Sequence, residues 1–346
     1  MDAEDLKDHV KDRWPRLYRT ARALRRKPGE IAQRLLEANY SLFRLAKRTT
    51  AFRAERNRTE AVVGYRPGLH RPTTINEKIL WKKLYNRNPL LPVTADKLTV
   101  REFVRDRLEP ETAGELVVPV LETAGAPEDL SLGRHDLPVV VKANHGSGLN
   151  LFIHNRRADG SFIAAEEHAP RSRWTPGDVA DRCREWLRTA YGFYRHEWAY
   201  QEIDRRLFVE PLISDPFGSQ LTDIKFDCFH GRPLYVLLQV HTENESRCTL
   251  LDNGGQSIPA RHEEKREVPD RIVATLRPLV DRLRPVAARL SAPFDYCRVD
   301  FYATTDGPRF SEITHYPSSG RRALSPPAFD RTMARHWTLD RSMGSA

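Results

Sequence analysis

The sequence predicts an α+β fold in several layers, with helices early and mostly antiparallel strands late. Three observations predict it. Apolar residues recur at helical spacing through residues 31–45 and again through 73–104. From Asp223 onward the pattern becomes alternation, as in Asp223-Ile-Lys-Phe-Asp-Cys-Phe and Arg298-Val-Asp-Phe-Tyr, which is the period of a half-buried strand. Gly231-Arg-Pro and Asp306-Gly307 punctuate those runs, and both are hairpin signals. With 346 residues, 40% hydrophobic and 30% charged, the chain can bury one large core or several smaller ones.

Residues 1–60 hold 16 Lys or Arg against 9 Asp or Glu, so they carry +7 of the net charge of +9. Ile31, Leu35, Ala38, Leu42 and Leu45 form one apolar stripe, with Arg34, Arg44, Lys47 and Arg48 around it. The simpler reading is a basic helical extension over 1–64 that docks the stripe on the body and keeps its charges in water. The sharper reading is contact with an anionic membrane surface or an acidic polymer. No nucleic acid is expected, because no zinc-finger or RNP-type motif occurs. The chain has no run of eighteen apolar residues and starts Met-Asp-Ala-Glu-Asp. It is therefore expected to be cytoplasmic, or peripheral at the inner membrane face under the sharper reading. Cys183, Cys228, Cys248 and Cys297 are scattered, which argues for free thiols rather than zinc or a disulfide framework.

In residues 65–136, Thr74 or Asn76 can cap a helix that turns Ile79, Leu80 and Leu84 inward. Asp96 can cap the helix of Val100, Phe103 and Val104, placing Lys97 in its first turn. A lysine there opposes the helix dipole, and an anionic ligand explains it better. Within 137–212, Leu137-Pro-Val-Val-Val-Lys-Ala-Asn reads as a buried strand running into His145-Gly-Ser-Gly148, and Leu207–Ile213 as another short strand. Within 213–335, a hairpin spans Asp223 to Val240. Ile272, Leu276, Leu279, Leu283, Val286 and Leu290 then mark a helix that Pro278 and Pro285 must start, kink or break. Residues 336–346 are a tail.

The chemistry concentrates in the last two strands. Arg298, Asp300 and Tyr302 share one strand face, and Glu312 and Thr314 share one face of the next. In a hairpin, Asp300 and Glu312 converge beside an arginine, a site suited to a hard divalent cation bound to phosphate. The plainer reading is two surface carboxylates paired with Arg298 or Lys225. Upstream, Lys142 followed by His-Gly-Ser-Gly offers charge and close backbone approach to phosphates, although such a turn is equally an ordinary loop. There is no G-x-x-x-x-G-K-[ST], and Leu151 stands where the dinucleotide fingerprint needs glycine. Neither His196-Glu197 nor His262-Glu263 has the second histidine of a zinc protease. There is also no G-x-S-x-G elbow, and no Asp-x-Asp pair of a usual sugar-nucleotide transferase.

Taken together, seven ordered segments resemble the ATP-grasp superfamily and, more narrowly, the TupA-like ATP-grasp family associated with teichuronopeptide and capsular polysaccharide loci. They are Ile75–Tyr85, Ala95–Arg101, Lys142–Gly148, Val209–Ile213, Asp223–Gly231, Arg298–Tyr302 and Glu312–Gly320. The resemblance implies an ATP-grasp fold, two α+β subdomains clasping ATP. It implies that Lys97 and Lys142 contact ATP phosphates. Asn144, His145, Gly146, Ser147 and Gly148 match the lid loop, and Glu210, Pro211 and Leu212 match the hinge that holds adenine. Lys225 and Arg298 match cations over the phosphates, and Asp300 and Glu312 match the Mg²⁺ ligands. Thr314 stands where most of the superfamily has Asn, although Glu-x-Thr is the form of the TupA-like group. The cofactors implied are ATP and Mg²⁺, as one or two ions, with Mn²⁺ as the alternative. The reaction implied joins a carboxylate donor to an amine acceptor, glycan- or peptide-linked, and Tyr316 to Arg322 would contact the acceptor. A phosphotransferase or glycosyltransferase-like enzyme, and a non-catalytic nucleotide-binding scaffold, remain the alternatives.

Overall fold

A computed structural model of the chain describes residues 30–167, 169–216, 221–241, 245–262 and 265–342, without the side chains of 30–38, 261 and 262. The helical reading of residues 1–29, the side chains of Ile31, Leu35 and Ala38, Glu263 and the end of the tail lie outside the described residues. Two helices, α1 (Glu30–Thr49) and α2 (Arg53–Val63), open the described chain. Then come α3 (Ile75–Tyr85), α4 (Leu90–Ala95), α5 (Thr99–Arg107) and α6 (Pro110–Leu116). Thr74 caps α3: its hydroxyl accepts the Glu77 N–H while the Glu77 carboxylate accepts the Thr74 N–H at 3.1 Å. This reciprocal box satisfies two otherwise orphaned donors.

The first sheet is antiparallel, in the order β1-β6-β2-β3-β4-β5. Its strands are β1 (Glu122–Ala124), β2 (Val139–Ala143), β3 (Asn150–Arg156), β4 (Phe162–Glu166), β5 (Ser172–Trp174) and β6 (Leu207–Pro211). This sheet therefore begins before residue 137. Helix α7 (Pro176–Arg188) buries Val179, Cys183 and Trp186 in the cluster formed by that sheet. The second sheet is also antiparallel, in the order β12-β11-β7-β8-β9. It comprises β7 (Thr222–Phe229), β8 (Arg232–His241), β9 (Ser246–Leu251), β11 (Tyr296–Thr304) and β12 (Gly307–Thr314), while β10 (Arg261–His262) pairs separately with β13 (Leu324–Ser325). Both expected hairpins, β7–β8 and β11–β12, form. Helix α8 (Asp270–Ser291) carries Pro278 and Pro285 without interruption, and neither proline starts it. Residues of α3, α4, α5 and α6 share one core cluster with the second sheet, so these helices belong to its core.

Helix α3 is unusual in burying two lysines on its inner side. Lys82 Nζ bonds Asp295 at 2.8 Å, and Lys83 bonds Glu55 and the Ser319 carbonyl. A buried ammonium is tolerable only with such partners. These bonds tie α3 to the start of β11 and to the turn Pro317–Gly320. That turn has Ser318, Ser319 and Gly320 all at positive φ. Asn76 holds its far side: Asn76 Nδ2 donates to the Arg322 carbonyl at 2.9 Å and to Asp330, on the short helix α9 (Ala328–Ala334), also at 2.9 Å.

In the described part of the apolar stripe on α1, Leu42 and Leu45 do not dock as expected. Tyr40 is buried and Phe43 half-buried, with ring centroids 5.4 and 5.0 Å from Phe193. Leu42 and Leu45 are instead 51% and 61% exposed. The aromatic rings offer more area to bury than the leucines, so they take the inward face. Gly320 faces the backbone of α3: a Cβ there would lie 3.0 Å from Asn76 O and 3.1 Å from Leu80 N. With φ at +72° as well, Gly320→Ala is expected to cost about 1–3 kcal/mol, read as a lower urea midpoint. Gly125→Ala, with open space around it, should leave the midpoint nearly unchanged.

Candidate active site

Three adjacent strands of the second sheet build the site. On β7, Asp223, Lys225 and Asp227 alternate with Ile224, Phe226 and Cys228, which are fully buried in the core. On β11, Arg298, Asp300 and Tyr302 alternate with the buried Val299 and Phe301. The register sets Lys225, Asp300 and Glu312 abreast, and Asp227, Arg298 and Thr314 abreast in the next rank. Strict alternation along β12 would put Phe310 on the face of Glu312. A bulge prevents this: Asp300 pairs with Glu312 and Phe301 with Phe310, so Ser311 is the extra residue. The bulge turns Phe310 into the core against Phe301, 6.1 Å between centroids, and leaves Glu312 on the polar face. Re-aiming a side chain in this way is a common use of bulges.

Each cation of the site is matched with an oxygen acceptor. Arg298 Nε donates to Asp300 Oδ1 at 2.8 Å and Oδ2 at 3.1 Å, and Nη2 also reaches Oδ2. Burial opposes the Arg298 charge, but Asp300 outweighs it and raises the pKa of the guanidinium. Lys142 donates to Glu210 Oε1, while Glu210 Oε2 accepts from Arg101 at 2.6 Å. Lys225 lies 3.2 Å from Asp223, which is also 3.4 Å from His241. Lys97 Nζ donates to the Gly146 carbonyl and lies 3.8 Å from Glu312. Burial works against the Glu312 carboxylate, yet Lys97 and Arg298 prevail and lower its pKa.

Lys97 thus joins the β2–β3 loop of the first sheet to β12 of the second. It sits in the turn between α4 and α5, not in the first turn of a helix. Asp96 Oδ1 accepts the Leu98 N–H at 2.8 Å, and α5 starts at Thr99. Tyr302 reports the same convergence. Burial first, then the carboxylates of Asp223, Glu312 and Glu210, push its phenol pKa up, and Glu210 belongs to the first sheet. Lys97, Lys142, Lys225, Arg298, Asp300 and Glu312 are therefore gathered in one region.

The other sequence-derived candidates have partners within the protein. Asn144 is buried and fully used: its Nδ2 donates to Asp96 and the Asp204 carbonyl, both at 2.9 Å, and its Oδ1 accepts the Arg206 N–H at 2.8 Å. His145 is buried too, with Nε2 3.2 Å from the Thr189 carbonyl. These bonds of both side chains pin the loop. Gly146 packs so closely on Tyr191 that a Cβ would lie 2.7 Å from its ring. Only Ser147 and Gly148 of this loop are exposed. The Glu210 side chain is engaged by Lys142 and Arg101, and the Leu212 N–H by the Pro138 carbonyl at 3.2 Å; Pro211 has no N–H to offer. The Thr314 hydroxyl donates to Glu312 Oε1 at 2.8 Å, so it orients a carboxylate.

The segment Tyr316 to Arg322 is largely buried, with Ser318 alone exposed. Arg322 donates to Asp227 Oδ1 at 2.9 Å and Oδ2 at 3.1 Å, and the Tyr296 hydroxyl donates to the same carboxylate at 2.6 Å. Within this segment the Arg322 side chain is committed to Asp227, behind Arg298. Arg101, Asp223 and Asp227 were missed as site residues. Asp223 and Asp227 share the parity of Lys225 on one strand, which was the available signal. Arg101 lies four residues after Lys97, but the helix start that orients it is set by tertiary contacts.

Among the described residues, no three Asp, Glu, His or Cys side chains gather as a metal cage. Asp300 and Glu312 are a pair of hard oxygen donors on adjacent strands. That set fits magnesium carried on nucleotide phosphates, which needs only one or two carboxylates from the protein.

Burial, with Arg205 and Lys97 nearby, holds the His145 pKa down at about 3. An unfolded histidine titrates near 6.5, so between those values the unfolded chain binds the extra proton. The stability of the neutral imidazole is complete above about pH 6.5 and is lost as pH falls towards 3, by roughly 2 kcal/mol at pH 5. His145→Gln, which keeps a donor for Thr189, should show a shallower loss of urea midpoint between pH 7 and 5. An unchanged slope would show that His145 does not titrate on unfolding.

The chain matches no curated protein. Among solved structures it is similar to the ATP-grasp ligase PsnB with its minimal precursor, at 14% identity over 72% of this chain and 63% of that one, TM-score 0.33. It is similar to D-alanine–D-alanine ligase from Bacillus anthracis complexed with ATP, at 16% over 64% and 54%, TM-score 0.32. It is also similar to L-amino acid ligase from Bacillus licheniformis, at 12% over 66% and 44%, TM-score 0.36. The chain spans less than two thirds of each of these proteins. The family model described as TupA-like ATPgrasp matches residues 77–337, a span that takes in Lys97, Lys142, Arg298, Asp300 and Glu312. The chain belongs to the TupA-like ATP-grasp family.

Proposed function

We propose that the protein is an ATP-dependent carboxylate–amine ligase. One observation carries the reading: Lys225, Asp300 and Glu312 stand abreast beside Arg298, and Lys97 links them to the loop after Lys142. Cations from both sheets and two hard carboxylates in one region suit a triphosphate that arrives with magnesium. Asp300 and Glu312 would hold that ion, which when bound supplies Lewis-acid stabilisation of phosphate charge. A substrate carboxylate oxygen attacks the γ-phosphorus of ATP, the bond to ADP breaks, and an acylphosphate forms. Lys97, Lys142 and Lys225 bind the phosphates, and Arg298 neutralises charge developing on the transferred group. An amine then attacks the carbonyl carbon. Phosphate leaves with the bonding pair, a proton is released, and an amide remains. The family's association with teichuronopeptide and capsular polysaccharide loci directs the search for substrates to glycan- and peptide-linked carboxylates and amines.

The test supplies ATP, Mg²⁺ and a panel of such carboxylates, with hydroxylamine as a general amine. Hydroxamate and inorganic phosphate are expected in equal amounts with the right carboxylate. Arg298→Met and Asp300→Asn should each lower kcat by about 10²–10³. ADP formed with phosphate retained on a hydroxyl acceptor would make the protein a phosphotransferase instead. Full activity in Asp300→Asn would remove the assigned metal site.

The paired charges of the site make a second prediction. Because its cations are already partnered, the site attracts neither a bare triphosphate nor a bare cation strongly. ATP with excess EDTA should bind at least about tenfold more weakly than MgATP by calorimetry. Equal affinities would mean that the nucleotide lies away from Asp300 and Glu312.

A further inference from the structure

A widely open surface cavity of about 890 Å³, lined by none of the candidate active-site residues, lies between the N-terminal helices, the loop before α3 and Arg341. Its charged lining is Arg48, Arg56, Arg71, Arg341 and His70, with no Asp or Glu. Trp81 and Tyr85 add an aromatic wall. The volume is that of an ordinary ligand site. Arg56 Nε donates to the Pro67 carbonyl and Arg341 Nη2 to the His70 carbonyl, both at 3.0 Å. Carbonyls orient a guanidinium without cancelling its charge, so these bonds aim positive charge at the space and leave an anion to balance it.

A second observation identifies the source of that anion. Leu42 and Leu45, left in water by the docking of Tyr40 and Phe43, sit on α1 just before the cavity. Leu45 is a helical neighbour of Arg48, three residues on. An exposed apolar pair therefore adjoins the rim of a cationic cavity. A free phosphate compound gives the leucines no partner, whereas an anionic phospholipid supplies both an acid headgroup and an apolar boundary.

We propose that this cavity is a headgroup site for an anionic phospholipid and that Leu42 and Leu45 enter the membrane boundary beside it. The test uses the full chain and vesicles of phosphatidylcholine with or without one third phosphatidylglycerol, read by sedimentation. Binding is expected only to the anionic vesicles. Arg71→Gln combined with Arg341→Gln should weaken it by roughly 30-fold, about fivefold per charge. Leu42→Gln combined with Leu45→Gln should weaken it as well, while Arg289→Gln, on the remote helix α8, should have a small effect. Arg71 is exposed, so Arg71→Gln alone reports on the cavity if the double variant does not fold. Cavity variants that bind like Arg289→Gln would overturn the proposal, because attraction would then come from diffuse charge. Soluble glycerol 1-phosphate binding at the cavity without vesicle binding would overturn it too, and would assign a free phosphate ligand.

Discussion

Four cation–carboxylate contacts, Lys97–Glu312, Lys142–Glu210, Lys225–Asp223 and Arg298–Asp300, are the constraint on which the rest of the structure depends. These charges are only partly open to water, Asp300 and Glu210 hardly at all, and are matched locally. Three of the contacts each stay inside a single sheet, Lys142–Glu210 in the first and the other two in the second. The fourth joins Glu312 to Lys97, which lies in a turn outside both sheets and also donates to the Gly146 carbonyl in the β2–β3 loop. Lys97 therefore connects the two sheets at the site. The arrangement also sets what can enter: a ligand must replace carboxylates at the lysines and offer the displaced carboxylates a cation. A nucleotide accompanied by magnesium does both in one step.

Behind this front rank lies a second, fully buried layer. Asp227 is shared by Arg322 and Tyr296, and Arg322 is held through its backbone by Asn76. Asn76 in turn meets Asp330. The chain thus returns from its C-terminal end to the first turn of α3 and closes around the hairpin that carries Arg298 and Asp300. With Asp227 satisfied by Arg322, Arg298 is left to Asp300. Mutual support of this kind is how a site keeps its geometry without relying on flexible loops.

Much of this was legible in the sequence. The late strands, their hairpin and the convergence of Asp300 with Glu312 follow from alternation and a tight turn. The start of α3 was legible with Thr74 or Asn76 as its cap, and the ordered motifs pointed to the family. What was not legible depended on three-dimensional neighbours. Leu42 and Leu45 fit a helical stripe as well as any core residues, but Tyr40 and Phe43 found aromatic partners over 150 residues away. The pairing of Arg322 was hidden because its partner, Asp227, is 95 residues earlier. Asn144 and His145 sit in a glycine-rich loop whose first half is pinned by Arg206 and by Thr189. Periodicity reports which face a residue occupies; it does not report what that face meets.

The extra residue at Ser311 has a consequence for how this hairpin can vary. Loop length between β11 and β12 can drift, because added residues there merely lengthen the turn. Loss of Ser311 would be different in kind. It would restore simple alternation, sending either Phe310 out among the charges or Glu312 into hydrocarbon. The hairpin therefore carries a reading frame, and descendants of this sequence are free to edit one side of Phe310 but not the other.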